Sequence, residues 1–166
     1  MTSKKGRFEW TEEGLAAFHK LKDMLTSPPL LAYSDYEKQF FVECDASNYA
    51  IGGVLSQKGD DRTLYTIYFY SKTLSKAEVN YSIIEKELLT IKTAFTEWRH
   101  FLQCTKHKII VYSGHRNLLF VTKPLLITPR WKELFATYWF EIVYRPGKKN
   151  GRADALSRVE TEIKRE

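Results

Sequence analysis

Cysteine is scarce in this chain, with Cys44 and Cys104 the only two among 166 residues. Both sit in apolar surroundings, VECDAS and HFLQC, and no pairing or metal-ligand spacing connects them. A disulfide scaffold is excluded, and both thiols are expected to be reduced packing residues, as suits an intracellular compartment. Long apolar runs are missing too. None approaches the roughly 18 residues of a membrane span, so no membrane partner is expected. The opening MTSKKGRFEW has no apolar region of the signal-peptide kind. A cytoplasmic or nuclear location is the resulting expectation. There is no internal repeat and no low-complexity tract.

What is present is apolar and basic. Hydrophobic residues make up 43% and aromatics 14%, enough for a real core and against compositional disorder. The length suits one domain with a short flank. The net charge of +6 and pI of about 9.2 favour an acidic partner, and nucleic acid is the natural one. A basic domain that meets no polyanion has the same balance.

Periodicity divides the chain. Leu15, Phe18, Leu21, Met24 and Leu25 recur at helical spacing over residues 11–26. Pro28 and Pro29 stop that helix, and Trp10 is placed to staple its start. Strands are expected at 39–44, 50–56 and 64–71, forming an antiparallel meander with a polar turn at 57–63. Gly52 and Gly53 inside the second strand imply close approach of a neighbour or a ligand. A long helix is expected over 77–102, with Ile84, Leu88, Ile91 and Phe95 as one stripe and Leu89, Trp98, Phe101 and Leu102 widening it. A strand at 108–112, a short helix at 117–121, a helix at 130–137 and a strand at 138–144 follow. RPGKKN reads as a turn, and Asn150 is placed to cap a last helix through Leu156. The aromatics Trp98, Phe101, Trp131, Phe135, Trp139 and Phe140 are spaced for core packing rather than for stacking bases.

Three acidic motifs stand out in order: Asp45 in VECDAS, Glu87 in EKELL and Asp154 in ADALSR. With VECDASNYAIGGVLSQ, IYFYSKTLSKAEVNYSIIEKELL and FEIVYRPGKKNGRADALSR, they resemble the RNase H domain of gypsy-type LTR retrotransposon reverse transcriptases. The resemblance covers nearly all of residues 8–158. It implies an α/β, RNase H-like fold: a five-stranded mixed sheet with helices on both faces. Residues 1–35 then form a linker or connection segment with one helix, 36–158 the RNase H-like domain, and 159–166 a charged tail.

The resemblance also implies chemistry. Two divalent cations about 4 Å apart clamp a scissile phosphate and activate water in such sites. The implied ions are Mg²⁺ or Mn²⁺, with Asp45 bridging both, Glu87 serving one and Asp154 the other. Each acid also has an ordinary reading: Asp45 as a strand-exit turn residue, Glu87 as a solvated helix glutamate, Asp154 as a first-turn acid on the helix dipole. Glu85, two residues before Glu87, points away and reads as surface.

The family's third motif usually carries Thr-Asp-His, and its Asp serves the ion held by Glu87. Here the segment reads VYSGHRNLL, with Gly114 at that position. A glycine supplies no side-chain oxygen, so ion binding is expected to be weakened and the rate to fall roughly 10³-fold or more. Glu43, Ser113 and His115 are the neighbours considered as substitutes.

The implied substrate is an RNA/DNA hybrid gripped across its minor groove. Candidate contacts are Ser47, Asn48, Gln57, Ser71, Lys72, Asn80, Tyr81, His115, Arg116, Asn117, Lys148 and Lys149, each of which also fits a solvated loop residue. The remainder of a Pol polyprotein is the implied covalent partner. The competing reading is a catalytically inactive RNase H-like scaffold, or a domesticated module with a host protein partner.

Overall fold

A computed structural model of the chain describes residues 11–26, 31–120, 129–146 and 150–158. It divides into two compact units, Met1–Leu30 and Leu31–Glu166.

In the first unit, α1 spans Glu12–Thr26. Thr11 caps it, its Oγ1 accepting from the Gly14 amide at 3.1 Å. The apolar residues Leu15, Phe18 and Leu21 are exposed within this unit. The staple expected from Trp10 lies outside the described residues.

The second unit is built on five strands: β1 Phe40–Ala46, β2 Ala50–Lys58, β3 Leu64–Thr73, β4 Ile109–Ser113 and β5 Phe140–Tyr144. The sheet order is β3-β2-β1-β4-β5. The β1–β2 and β2–β3 pairs are antiparallel, as the expected meander requires, while β1–β4 and β4–β5 are parallel. The sheet is therefore mixed.

The long helix expected over 77–102 is three pieces. A 3₁₀ turn covers Glu78–Asn80, α2 covers Ile83–Glu97 and α3 covers Arg99–Leu102. The reason is local. Ser82 is extended and forms a capping box with Glu85, so the helix starts after it. Glu85 is exposed and spent on that cap, its carboxylate accepting from the Ser82 amide at 2.8 Å. Two more helices follow, α4 at Pro129–Ala136 and α5 at Gly151–Ser157.

Helices cover both faces. Strand alternation sends Phe40, Val42 and Cys44 to one side, where they join Leu88, Ile91, Phe95 and Trp98 of the α2 side in the main core. Phe101 and Phe135 join it, with Trp131 and Phe140 packed against it. Trp139 is the exception among the expected core aromatics, 63% exposed. The last strand starts at Phe140 instead, because Tyr138 turns inward and its hydroxyl donates to the Phe95 carbonyl at 2.8 Å.

On the opposite face lies α5, and Gly52 lets it approach. A Cβ at 52 would stand 2.7 Å from Leu156 Cβ and 2.9 Å from the Ala153 carbonyl oxygen. A Cβ at Gly53 would run into the Tyr70 ring, so both glycines answer to close neighbours. Asn150 does not cap α5 through its side chain; its amide donates across to the Cys44 carbonyl at 2.9 Å, tying α5 to β1. Cys44 is buried as expected, and burial pushes its thiol pKa well up. Cys104 is exposed, against the expectation, because it follows the end of α3. No described helix is long and apolar enough to cross a membrane.

Candidate functional site

Two adjacent parallel strands, β1 and β4, end together, and the site lies beyond their carboxyl ends. The register pairs Cys44 with Ser113, so Asp45 and Gly114 follow on neighbouring chain segments. Asp45 is the penultimate residue of β1, opposite Gly52. The second turn of α2 supplies Glu87 and the first turn of α5 supplies Asp154. Asp45, Glu87, Gly114 and Asp154 thus line a single open cleft of about 480 Å³ with Ser47, Asn48 and His115.

Each acid has its own partner. The Ser157 hydroxyl donates to Asp45 Oδ2 at 2.6 Å. The Ser113 hydroxyl donates to Glu87 Oε2 at 3.1 Å. Arg158 Nε donates to Asp154 Oδ1 at 2.7 Å. Glu87 is buried on the sheet, and desolvation with the nearby Asp45 charge pushes its carboxyl from 4.5 to about 8. Burial also raises Asp45, with the Asp154 carboxylate adding to the rise and the Ser157 hydroxyl opposing it.

Gly114 does not take up a left-handed backbone conformation. A Cβ built there would lie 3.8 Å from Asp45 Oδ1 and 4.0 Å from the Arg145 carbonyl oxygen, ordinary contact distances. A side chain at 114 would therefore enter the acidic cleft beside Asp45. Glu43 offers no substitute. It is 1% exposed, and both its oxygens are held, by Arg145 Nη1 at 2.9 Å and by Arg152 Nη2 and Nε at 2.5 and 3.3 Å. Ser113 is committed to Glu87.

The donors fit a hard divalent ion in kind, since they are carboxylate oxygens. They do not fit in number. Among the described residues, no group of three or more His, Cys, Asp or Glu side chains is close enough together to hold a metal ion.

The expected hybrid contacts divide. Ser47, Asn48 and His115 line the cleft, though the Ser47 hydroxyl is taken up with the Tyr49 and Ala50 amides of its own turn. Gln57 is buried and braces the preceding loop through the carbonyls of Asp35 and Lys38, so it is no surface contact. Ser71 donates to the Leu156 carbonyl at 2.7 Å. Lys72 pairs with Glu78 at 3.2 Å, and the Asn80 amide donates to the Lys76 carbonyl. Tyr81 lines a separate groove with Leu89, Lys92 and Trp131. Asn117 is exposed, and exposed Arg116 lies over the Tyr144 ring at 5.6 Å. Lys148 and Lys149 fall outside the described residues.

Sequence reasoning passed over Ser157, Arg158, Arg145, Arg152 and Lys86. A signal existed for two of them: Ser157 and Arg158 stand three and four residues after Asp154, one helical turn away. The Glu43 cluster had none, because Arg145 and Arg152 are distant in sequence.

The reverse-transcriptase family of RNase H-like domains matches residues 10–111. The transposon Tf2-3 polyprotein of Schizosaccharomyces pombe is 40% identical over 161 residues, which cover 92% of this chain and 12% of that polyprotein. The chain thus spans about an eighth of the length of the curated relatives it matches. Prototype foamy virus protease-reverse transcriptase shares the fold with a TM-score of 0.57 at 21% identity, over 82% of this chain and 19% of that one. A foamy viral protease-reverse transcriptase in complex with RNA/DNA hybrid matches with a TM-score of 0.51 at 18% identity, over 87% of this chain and 20% of that one. On the family match, which covers more than half of its residues, the chain belongs to the RNase H-like domains found in reverse transcriptases.

Proposed function

We propose that this chain is the RNase H part of a gypsy-type LTR retrotransposon reverse transcriptase, which binds RNA/DNA hybrid and has lost most or all cleavage of the RNA strand. The observation that carries the reading is the cleft itself. Asp45, Glu87 and Asp154 line it, and Gly114 leaves open the space beside Asp45 that a side chain would enter. The hybrid complex formed by a foamy viral neighbour of the same fold supports the substrate.

In this reading residues 1–35 are a connection segment, 36–158 the RNase H-like domain and 159–166 a charged tail. The remainder of a Pol polyprotein is the covalent partner, and the setting is cytoplasmic or nuclear, within a particle if the element is active. Asp45, Glu87 and Asp154 are the positions at which the ancestral domain would have held Mg²⁺ or Mn²⁺, and as they stand, without forming a three-ligand group, they bind either ion weakly at most. Ser157 and Ser113 orient Asp45 and Glu87. Asn48 and His115 face the strand in the cleft, with Arg116 and Asn117 just beyond it.

The second reading is an inactive RNase H-like scaffold or a domesticated interaction module with a host protein partner; Gly114, which brings no side-chain oxygen to the cleft beside Asp45, suits it as well.

Purified protein incubated with labelled RNA/DNA hybrid and Mg²⁺ or Mn²⁺ tests both. The expected outcome is hybrid binding with cleavage absent or slight. Robust cleavage abolished by Asp45→Asn would overturn the loss of activity, and failure to bind hybrid would leave the scaffold.

A further inference from the structure

One cation in the cleft is claimed by no acid among the described residues. Ile83, Lys86 and Glu87 stand at i, i+3 and i+4 on α2, so they share one side of the helix and all line the cleft. Ile83 is 62% exposed, whereas Lys86 is only 7% exposed. The Lys86 ammonium nonetheless makes no ion pair or hydrogen bond with any described residue, although three carboxylates line the same cleft. Those carboxylates are engaged by Ser157, Ser113 and Arg158.

Lysine stems bury their methylenes along apolar surface while the ammonium stays where it can be solvated. An ammonium without water or a partner would be costly. Lys86 therefore presents its donors to whatever occupies the cleft. The Asn48 amide on the same lining also has no described partner. Lysine and asparagine are among the side chains that hold nucleic-acid backbone oxygens. A site rich in metal ions reaches a phosphate through those ions. A site short of one ligand needs a protein cation to do it.

We infer that Lys86 binds a backbone phosphate of the nucleic-acid strand in the cleft directly, without a divalent ion between them. The inference rests on the hybrid-binding reading above and adds to it a residue and a metal-independent contact.

The test uses the full chain and a fluorescently labelled RNA/DNA hybrid, with affinity measured in EDTA across a salt series. Lys86→Met keeps the buried stem and removes the charge. It is expected to weaken binding roughly 5- to 10-fold at about 0.1 M salt and to lower the slope of log affinity against log salt by about one, the signature of one lost phosphate contact. Lys86→Arg is expected to restore both. Lys58→Met, which removes a charge placed over the Phe41 ring and outside the cleft lining, is expected to leave the slope unchanged. Thermal unfolding shows whether each variant folds. Wild-type binding with an unchanged slope in a folded Lys86→Met protein overturns this inference alone. A wild-type chain that does not bind hybrid overturns the hybrid reading and this contact with it.

Discussion

Replacing Gly114 with aspartate adds a carboxylate to the cleft beside Asp45, and the structure sets the size of the effect. The new Cβ would lie 3.8 Å from Asp45 Oδ1 with no clash and no backbone strain, so the substitution folds. The two carboxylates would then stand roughly 5 Å apart, and at an effective dielectric of about 20 their repulsion is about 3 kcal/mol. The cleft is open to water, which reduces this to about 1–2 kcal/mol. In EDTA the variant should melt below wild type by roughly 2–8 °C, at about 2–4 °C per kcal/mol for a chain of this size. Mg²⁺ reverses the sign, because the pair now attracts the ion. A site with Kd near 1 mM gains about 1.4 kcal/mol in about 10 mM Mg²⁺, enough to recover much of the loss. Wild type should show little Mg²⁺-dependent shift. Melting in EDTA and in Mg²⁺, with NaCl matched for ionic strength, reads both effects, and hybrid cleavage should rise in parallel. If Gly114→Asp melts like wild type in EDTA and gains nothing specific from Mg²⁺, position 114 does not share an ion site with Asp45.

Three further outcomes are expected. The Glu87 carboxyl titrates near 8 in the folded chain against an ordinary 4.5, so the unfolded chain gives up this proton first as pH rises. Its contribution is neutral below about pH 4.5, destabilises progressively from there to about pH 8, and is constant above. The interval sets an upper bound of about 5 kcal/mol, so Glu87→Gln should gain roughly 2–3 kcal/mol over wild type at pH 9 and little at pH 4, read by urea unfolding in EDTA. Gly52→Val should cost at least about 2 kcal/mol in the same assay, because its side chain collides with Ala153 and Leu156 and pushes α5 and Asp154 off the sheet. Glu43→Ala should cost about 3 kcal/mol by leaving Arg145 and Arg152 without their buried partner, while a Lys38→Ala control, which breaks an exposed pair with Asp60, should cost under about 1 kcal/mol.

Much of the architecture was legible in the chain. Alternating or β-branched runs marked all five strands, and the strand boundaries moved by only a few residues. The meander followed from short polar turns, since neighbouring antiparallel strands need no crossover. The failure over residues 77–102 was local and avoidable: Ser82 followed by Glu85 is a capping box, and the apolar stripe beyond it hid the break. Trp139 and Cys104 failed for a different reason. An apolar sequence neighbourhood says nothing about whether the end of an element turns outward.

The sequence by itself determined the order of the elements, an acid near the end of β1, one on the long helical stretch and one at the start of the last helix, and a glycine at 114. Those depend on periodicity and on residue type, which are local. Tertiary structure alone decided what each group meets: that Glu43 is locked by Arg145 and Arg152, that Ser113 reaches Glu87 and Ser157 reaches Asp45, and that Lys86 stands among acids without an ion pair to any described residue. Such contacts join segments many tens of residues apart, and only the packing of α2 and α5 on opposite faces of one sheet brings them within a few ångströms.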